Sequence, residues 1–119
     1  MLQTEGFGDR SFHRKVVLLV NRHTVSATEM VVAFARENGL ARTVGEKTAG
    51  RLLSATSVKV GHGFRLALPI GAYYTWKGDV LEGTPIEPDE SVGFDWRRRR
   101  IGADDQLEHA TNGLRLGKI

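Results

Sequence analysis

KVVLLVNRHTVSATEMVVAFARENG, residues 15–39, decides the fold. Its opening, Lys15 to Val20, is a compact run of β-branched and aliphatic residues, the composition of a strand buried on both faces. Asn21-Arg22-His23-Thr24 is a bend. From Ser26 the period becomes helical. Met30, Val31, Phe34 and Ala35 fall on one face, and Gly39 follows as a C-terminal stop. Residues 41–45, ARTVG, read as a second short strand. A strand, a helix and a strand within about thirty residues make a βαβ unit, and such a crossover implies parallel pairing.

Ser26 sits at the join and has two readings. With Glu29 three residues later it forms the capping-box pattern S-x-x-E, in which the serine oxygen accepts a backbone N–H and the glutamate reaches back. Such a cap is worth about 1 kcal/mol and needs no chemistry. The same position suits a nucleophile. A helix N-terminus offers unpaired N–H groups and partial positive charge, which can steady an oxyanion formed when a carbonyl is attacked. A serine hydroxyl still needs a base to take its proton.

Beyond the βαβ unit the pattern changes. GEKTAGRLLS, residues 45–54, reads as a loop. Residues 57–69 alternate apolar and polar about a Gly61-His62-Gly63 turn, the pattern of a β-hairpin. GAYYTW and DVLE are further short strand candidates, split by Lys77-Gly78. GTPIEPD, residues 83–89, is a proline-bearing loop. Residues 106–116 predict a terminal helix interrupted by Gly113. No repeat, low-complexity segment or interdomain linker divides the 119 residues, so they are expected to form one domain or part of one.

Composition narrows the function. Forty per cent apolar and 26% charged content is that of an ordinary globular chain. No apolar run reaches the length of a membrane span, and the N-terminus lacks the apolar centre of a secretory signal. The absence of cysteine excludes disulfides, thiolate metal sites and a cysteine nucleophile, and leaves the compartment open. The net charge is +3, much of it in Arg97-Arg98-Arg99-Arg100. Such a run can contact phosphate, but here it is expected to be solvated or to pair with Asp104 and Asp105. No nucleic-acid motif accompanies it, so nucleic acid is not an expected partner.

Three segments in fixed order carry a resemblance: LLVNRHTVSATE, VGEKTAG and LPIGAYYTWKGDVLEGTPIEPD. Together, over residues 15–92, they resemble the second half of the S41 peptidase domain, the tail-specific and tricorn-core group, with QLEHA similar to its closing helix. The resemblance implies an α/β fold of the ClpP/crotonase-like spiral type, present in part. It implies a serine peptidase acting on polypeptides through an acyl-enzyme, with no metal or cofactor. Ser26 takes the nucleophile position and Ala27 the position whose backbone N–H forms half of the oxyanion hole.

The departures from that pattern fall on the base. In the tail-specific branch a lysine follows the VGExTxG glycine; here it is Arg51, which stays protonated. Arg51 is instead a candidate for pairing with a substrate carboxylate. Lys47 falls at a variable position and is expected to face solvent. In the tricorn-like branch a histidine is the base and a glutamate orients it. Glu82, in EGTPIEPD, matches that glutamate, with a solvated strand end as its alternative, and Glu87 and Asp89 are expected to shape the turn around Pro88. None of His13, His23, His62 and His109 fits the base position, which in the family lies upstream. The sequence therefore predicts an incomplete site, an apolar surface left open, and either self-association or a complementing N-terminal half. The alternative is a non-catalytic remnant that binds peptide along a sheet edge.

Overall fold

The computed structural model describes residues 6–119. After a 3-10 turn at Gly8–Arg10 come β1 (Val17–Val20), α1 (Ala27–Glu37), β2 (Arg42–Gly45), β3 (Leu53–Gly61), β4 (Phe64–Ala72), β5 (Glu90–Ser91), α2 (Trp96–Arg100) and α3 (Asp105–Arg115). The βαβ unit is present as expected. β1 and β2 run parallel, Val17 opposite Arg42 and Val20 opposite Gly45, with α1 as the crossover. β5, which the sequence did not suggest, adds a third parallel strand and gives the order β1-β2-β5.

The expected hairpin is longer than its alternating core. β3 and β4 pair antiparallel from Leu53 opposite Ala72 to Gly61 opposite Phe64. Its two-residue turn, His62-Gly63, has both residues at positive φ, as a type I′ connection requires. The apolar side chains do alternate, but nothing covers them. Every hairpin residue but Ser54 is exposed.

Of the segment expected to hold two more strands, residues 71–82, Gly71 and Ala72 belong to β4 and the rest is not a strand pair. It makes one isolated bridge, Tyr74 to Val80. Its backbone groups are spent in a tight turn, where Thr75 N–H donates to the Asp79 carbonyl at 2.9 Å and Gly78 N–H to the Thr75 carbonyl at 3.0 Å. The terminal helix runs through Gly113 without a break, and the Ile119 side chain folds back against that residue.

Two small clusters form the core. Ala33, Leu52 and Leu81 pack beneath α1 with Ile86 beside them. Val44, Ala110 and Ile119 pack between the sheet and α3, with Val17 and Val92. The buried face of α1 is the expected one only at Ala35. Val32, Ala33 and Ala35 turn inward, while Met30, Val31 and Phe34 face out, Phe34 at 58% exposure. The bulkier apolar residues of α1 are left on its exposed face. β1, expected to be buried on both faces, lies at the free edge of the sheet; only Val20 is fully buried and Leu19 is 43% exposed.

The dimensions agree. The radius of gyration is 17.7 Å, against roughly 13–14 Å for a compact domain of this length. The apolar surface expected to remain open is open.

Candidate active site

The site begins where β1 ends. Thr24 N–H donates to the Asn21 carbonyl at 2.8 Å, and the Thr24 hydroxyl accepts from Asn21 N–H at 3.1 Å, which closes the bend. The chain then reaches Ser26 at φ 57° and ψ −129°, directly before α1. An ordinary helix cap sits in the extended region. Ser26 does not, and His62 is the other described non-glycine residue at positive φ. Such a backbone costs on the order of 1–3 kcal/mol and persists only where its surroundings impose it. The hydroxyl lies over the Glu29 amide in the capping-box arrangement, short of a well-formed hydrogen bond. That amide donates to the Ser26 carbonyl at 2.8 Å. The residue itself is exposed.

What imposes the strain is Glu29. Its carboxylate is 1% exposed. One oxygen accepts from the Thr48 hydroxyl at 2.6 Å and Gly50 N–H at 2.7 Å. The other accepts from Arg51 N–H at 2.9 Å and Ser26 N–H at 3.2 Å. A charge so deeply buried is tolerated only when its lone pairs are satisfied, and here four donors do so. Arg51 returns a further bond, its carbonyl accepting Ser26 N–H at 3.0 Å. The expected capping glutamate thus ties the serine turn to the loop of residues 48–51.

Two glycines allow that loop to lie so close. At Gly45, with φ 133°, an added Cβ would stand 2.1 Å from the Val20 carbonyl oxygen. At Gly50, with φ 65°, it would stand 2.7 Å from Pro85. Gly50 also accepts Gly83 N–H at 2.8 Å, which brings the EGTPIEPD segment to the same place.

The remaining candidates distribute as follows. Ala27 is the first helical residue, and its N–H has no protein acceptor among the described residues, whereas Thr28 and Glu29 N–H bond to the Val25 and Ser26 carbonyls. The Arg51 side chain is exposed and has no hydrogen-bond or ion-pair partner among the described residues. Glu82 is half-buried, and its Oε2 accepts Leu52 N–H at 2.6 Å. It therefore grips the residue next to Arg51, with no histidine in contact among the described residues. Lys47 is exposed, as expected.

The histidines stay apart from the serine. His23 accepts from Arg22 Nε at 3.3 Å. His62 caps the hairpin. His109, on α3, pairs with Glu90 at 2.5 Å. Among the described residues no histidine or lysine side chain bonds to the Ser26 hydroxyl. No group of three His, Asp or Glu side chains among them is arranged to hold a metal ion, and no described helix is long and apolar enough to cross a membrane.

Asp89 has more to do than shape a turn. Its Oδ2 accepts Thr43 N–H at 2.7 Å and the Thr43 hydroxyl at 2.9 Å, and its Oδ1 pairs with Arg36 at 3.2 Å. Burial pushes the Asp89 carboxyl up, but the two Thr43 bonds and the Arg36 and Arg42 charges outweigh it and hold it below its usual value. Arg36 also donates to the Glu87 carbonyl at 2.7 Å. This clamp of α1, β2 and residues 87–89 escaped the sequence reading because its members lie tens of residues apart. A cavity of about 840 Å³ borders the same clamp, lined by Arg36, Leu40, Arg42, Ile86 and Asp89 among others, and does not include Ser26. The serine site is a surface turn, open to solvent.

Residues 2–92 match the family model described as Peptidase family S41. The carboxyl-terminal-processing protease of Synechocystis sp. is 33% identical over 85 residues, covering 71% of this chain and 20% of that protein. The chloroplastic carboxyl-terminal-processing peptidase 1 of Arabidopsis thaliana is 34% identical over 74 residues, 62% of this chain and 15% of that one. A crystal structure of a peptidase from Parabacteroides merdae superposes with TM-score 0.72 at 25% identity, covering 87% of this chain and 32% of that chain. The tricorn protease superposes with TM-score 0.74 at 22% identity, over 84% and 10%, a likeness of fold alone. The chain spans about a fifth of the length of the curated relatives it matches.

Proposed function

The chain belongs to peptidase family S41, and on that premise we propose that it carries the nucleophile-bearing part of a serine peptidase site, with Ser26 as the nucleophile. The observation that supports this most is the Ser26 backbone: a strained, exposed serine at a strand-to-helix turn, held by a buried carboxylate. A cap alone would not need that conformation. Residues 1–119 then form a single partial domain, with 15–92 as its family-like core.

The chemistry follows from the turn. Ser26 Oγ attacks the carbonyl carbon of a peptide bond and passes its proton to a base. The oxyanion forms beside Ala27 N–H at the positive end of α1. The base returns the proton to the leaving amine as the C–N bond breaks, and water then cleaves the ester. No described histidine or lysine side chain bonds to the hydroxyl, so the base comes from a preceding half or from a second copy. Glu82 orients that base on its arrival, and Arg51, exposed beside the serine, pairs with a carboxylate of the polypeptide substrate. The uncovered stripe of Met30, Val31 and Phe34 and the free edge of β1 pack against the residues that complete the site, on a preceding half or a second copy.

One observation favours a second reading, peptide binding without hydrolysis: arginine stands at the position of the family's lysine, with no side-chain partner among the described residues. A fluorophosphonate probe separates the two. The peptidase reading expects a mass increment of one label on the chain, located at Ser26 and absent from Ser26→Ala. A wild-type chain that binds a carboxylate-ended peptide through Arg51 but takes no label favours the binding reading.

A further inference from the structure

The strongest feature that the serine site does not use lies outside the family match, in α2. The five residues of α2 are Trp96 and four arginines, and Asp95 caps them by accepting Arg97 N–H at 2.8 Å. The arginines are not equivalent. Arg98 is spent on α3, paired with Asp105 at 2.5 Å and Glu108 at 3.3 Å. Asp104 is not a partner for the run, since it caps α3 by accepting Leu107 N–H at 3.0 Å. Arg97, Arg99 and Arg100 have no carboxylate partner among the described residues.

The Arg97 and Arg100 guanidinium carbons stand 5.5 and 5.8 Å from the centroid of the Trp96 ring. Trp96 is nevertheless 55% exposed, and Ile101, the next residue after the helix, is 83% exposed. One turn of chain thus presents three unpaired cations, an indole and an aliphatic side chain to solvent. Residues 93–119 carry six Lys and Arg against four Asp and Glu, so the segment is net positive.

We propose that this turn docks on the surface of an anionic lipid bilayer. Guanidinium groups make bidentate bonds to lipid phosphate. An indole settles at headgroup depth, and an aliphatic neighbour enters the acyl boundary. Charge complementarity selects acidic headgroups, each near-surface cation contributing about a fivefold gain in partition. Single-stranded nucleic acid fits less well. It needs an open aromatic face for base stacking, and here two guanidinium groups of the chain lie over the one ring.

The test is co-sedimentation of the full chain with vesicles of phosphatidylcholine alone and with about 30% phosphatidylserine, at low and high salt. The expected result is binding to the anionic vesicles only, lost at high salt. Replacing Arg97, Arg99 and Arg100 together by Gln should weaken partition by about 100-fold. The triple Arg→Lys variant should retain most of it. In a Trp76→Phe background, Trp96 emission should shift to the blue on binding. Equal binding to both vesicle types, or no loss in the Gln variant, would overturn the proposal. So would displacement from the vesicles by a single-stranded oligonucleotide at equal phosphate, which would assign the turn to nucleic acid.

Discussion

Ser26 donates its backbone N–H to the carbonyl oxygen of Arg51 at 3.0 Å. The proposed nucleophile and Arg51, which stands where the resembled tail-specific pattern has a lysine, are therefore joined through the main chain. The side chain at 51 can change without disturbing that bond. Arg51→Lys introduces a group that can lose its proton, which arginine cannot. Labelling of Ser26 by a fluorophosphonate is expected to rise at least about tenfold and to increase with pH, since a positioned base contributes more than that in complete sites. Rate measurements across pH on the two proteins check this; equal rates would mean that position 51 does not reach the hydroxyl.

Glu29 holds the serine turn and the loop of residues 48–51 with one carboxylate. Glu29→Ala strips the partner from donors at Gly50, Thr48 and Arg51, while Ser26 N–H keeps the Arg51 carbonyl. Leaving even two of them buried and unpaired costs about 2–6 kcal/mol. Urea unfolding should show a lower midpoint by a corresponding amount. Thr48→Val removes one of the four bonds and also the acceptor of Ile86 N–H, and it leaves Ser26 held by Glu29 and Arg51.

Gly45 has no room for a side chain, because a Cβ there would lie 2.1 Å from the Val20 carbonyl oxygen. Gly45→Ala must push β1 and β2 apart at the end that delivers Ser26. The expected loss is more than about 1 kcal/mol, from the positive φ together with the clash. Thermal unfolding measures it. A control at Gly93, with open space around its Cβ, should change little.

Asp89 makes stability depend on pH. Its folded value lies below the ordinary one of about 3.9 because of Thr43, Arg36 and Arg42, against the opposing effect of burial. A carboxyl depressed on folding stabilises above its unfolded value, and that contribution is lost as pH falls through the folded one. Wild type should therefore lose stability below about pH 4 more steeply than Asp89→Asn, which has no proton to bind there. Glu37, held low by the Thr75 hydroxyl, slopes the same way in both proteins. Unfolding midpoints at pH 6 and below, compared between the two, isolate Asp89.

The parts of the fold legible in the sequence were those with a local signal. β1, α1 and β2 show a strand run, a helical period and a stop, and the hairpin shows alternation about a turn. β5 has two residues and no pattern, because its partners on β2 lie tens of positions away. α2 is a run of charge stabilised by Asp95 and α3 rather than by an apolar face. On α1 the helical period alone does not pick the inward face: Val32 and Ala33 are buried beside Ala35, while Met30, Val31 and Phe34 are exposed. At the site, Ser26 was legible and Glu29 only as a cap. The donors that make Glu29 a hub stand on a loop about twenty residues downstream, with no trace in the local spacing.

Ser26 is the proposed nucleophile, and among the described residues no histidine or lysine side chain bonds to its hydroxyl. Chemical rescue tests it most directly: the rate of fluorophosphonate labelling of the purified chain, measured against increasing imidazole. Labelling should be slow without imidazole, rise in proportion to it, map to Ser26, and vanish in Ser26→Ala. A rate that stays flat while imidazole rises, or a label that persists in Ser26→Ala, would contradict it.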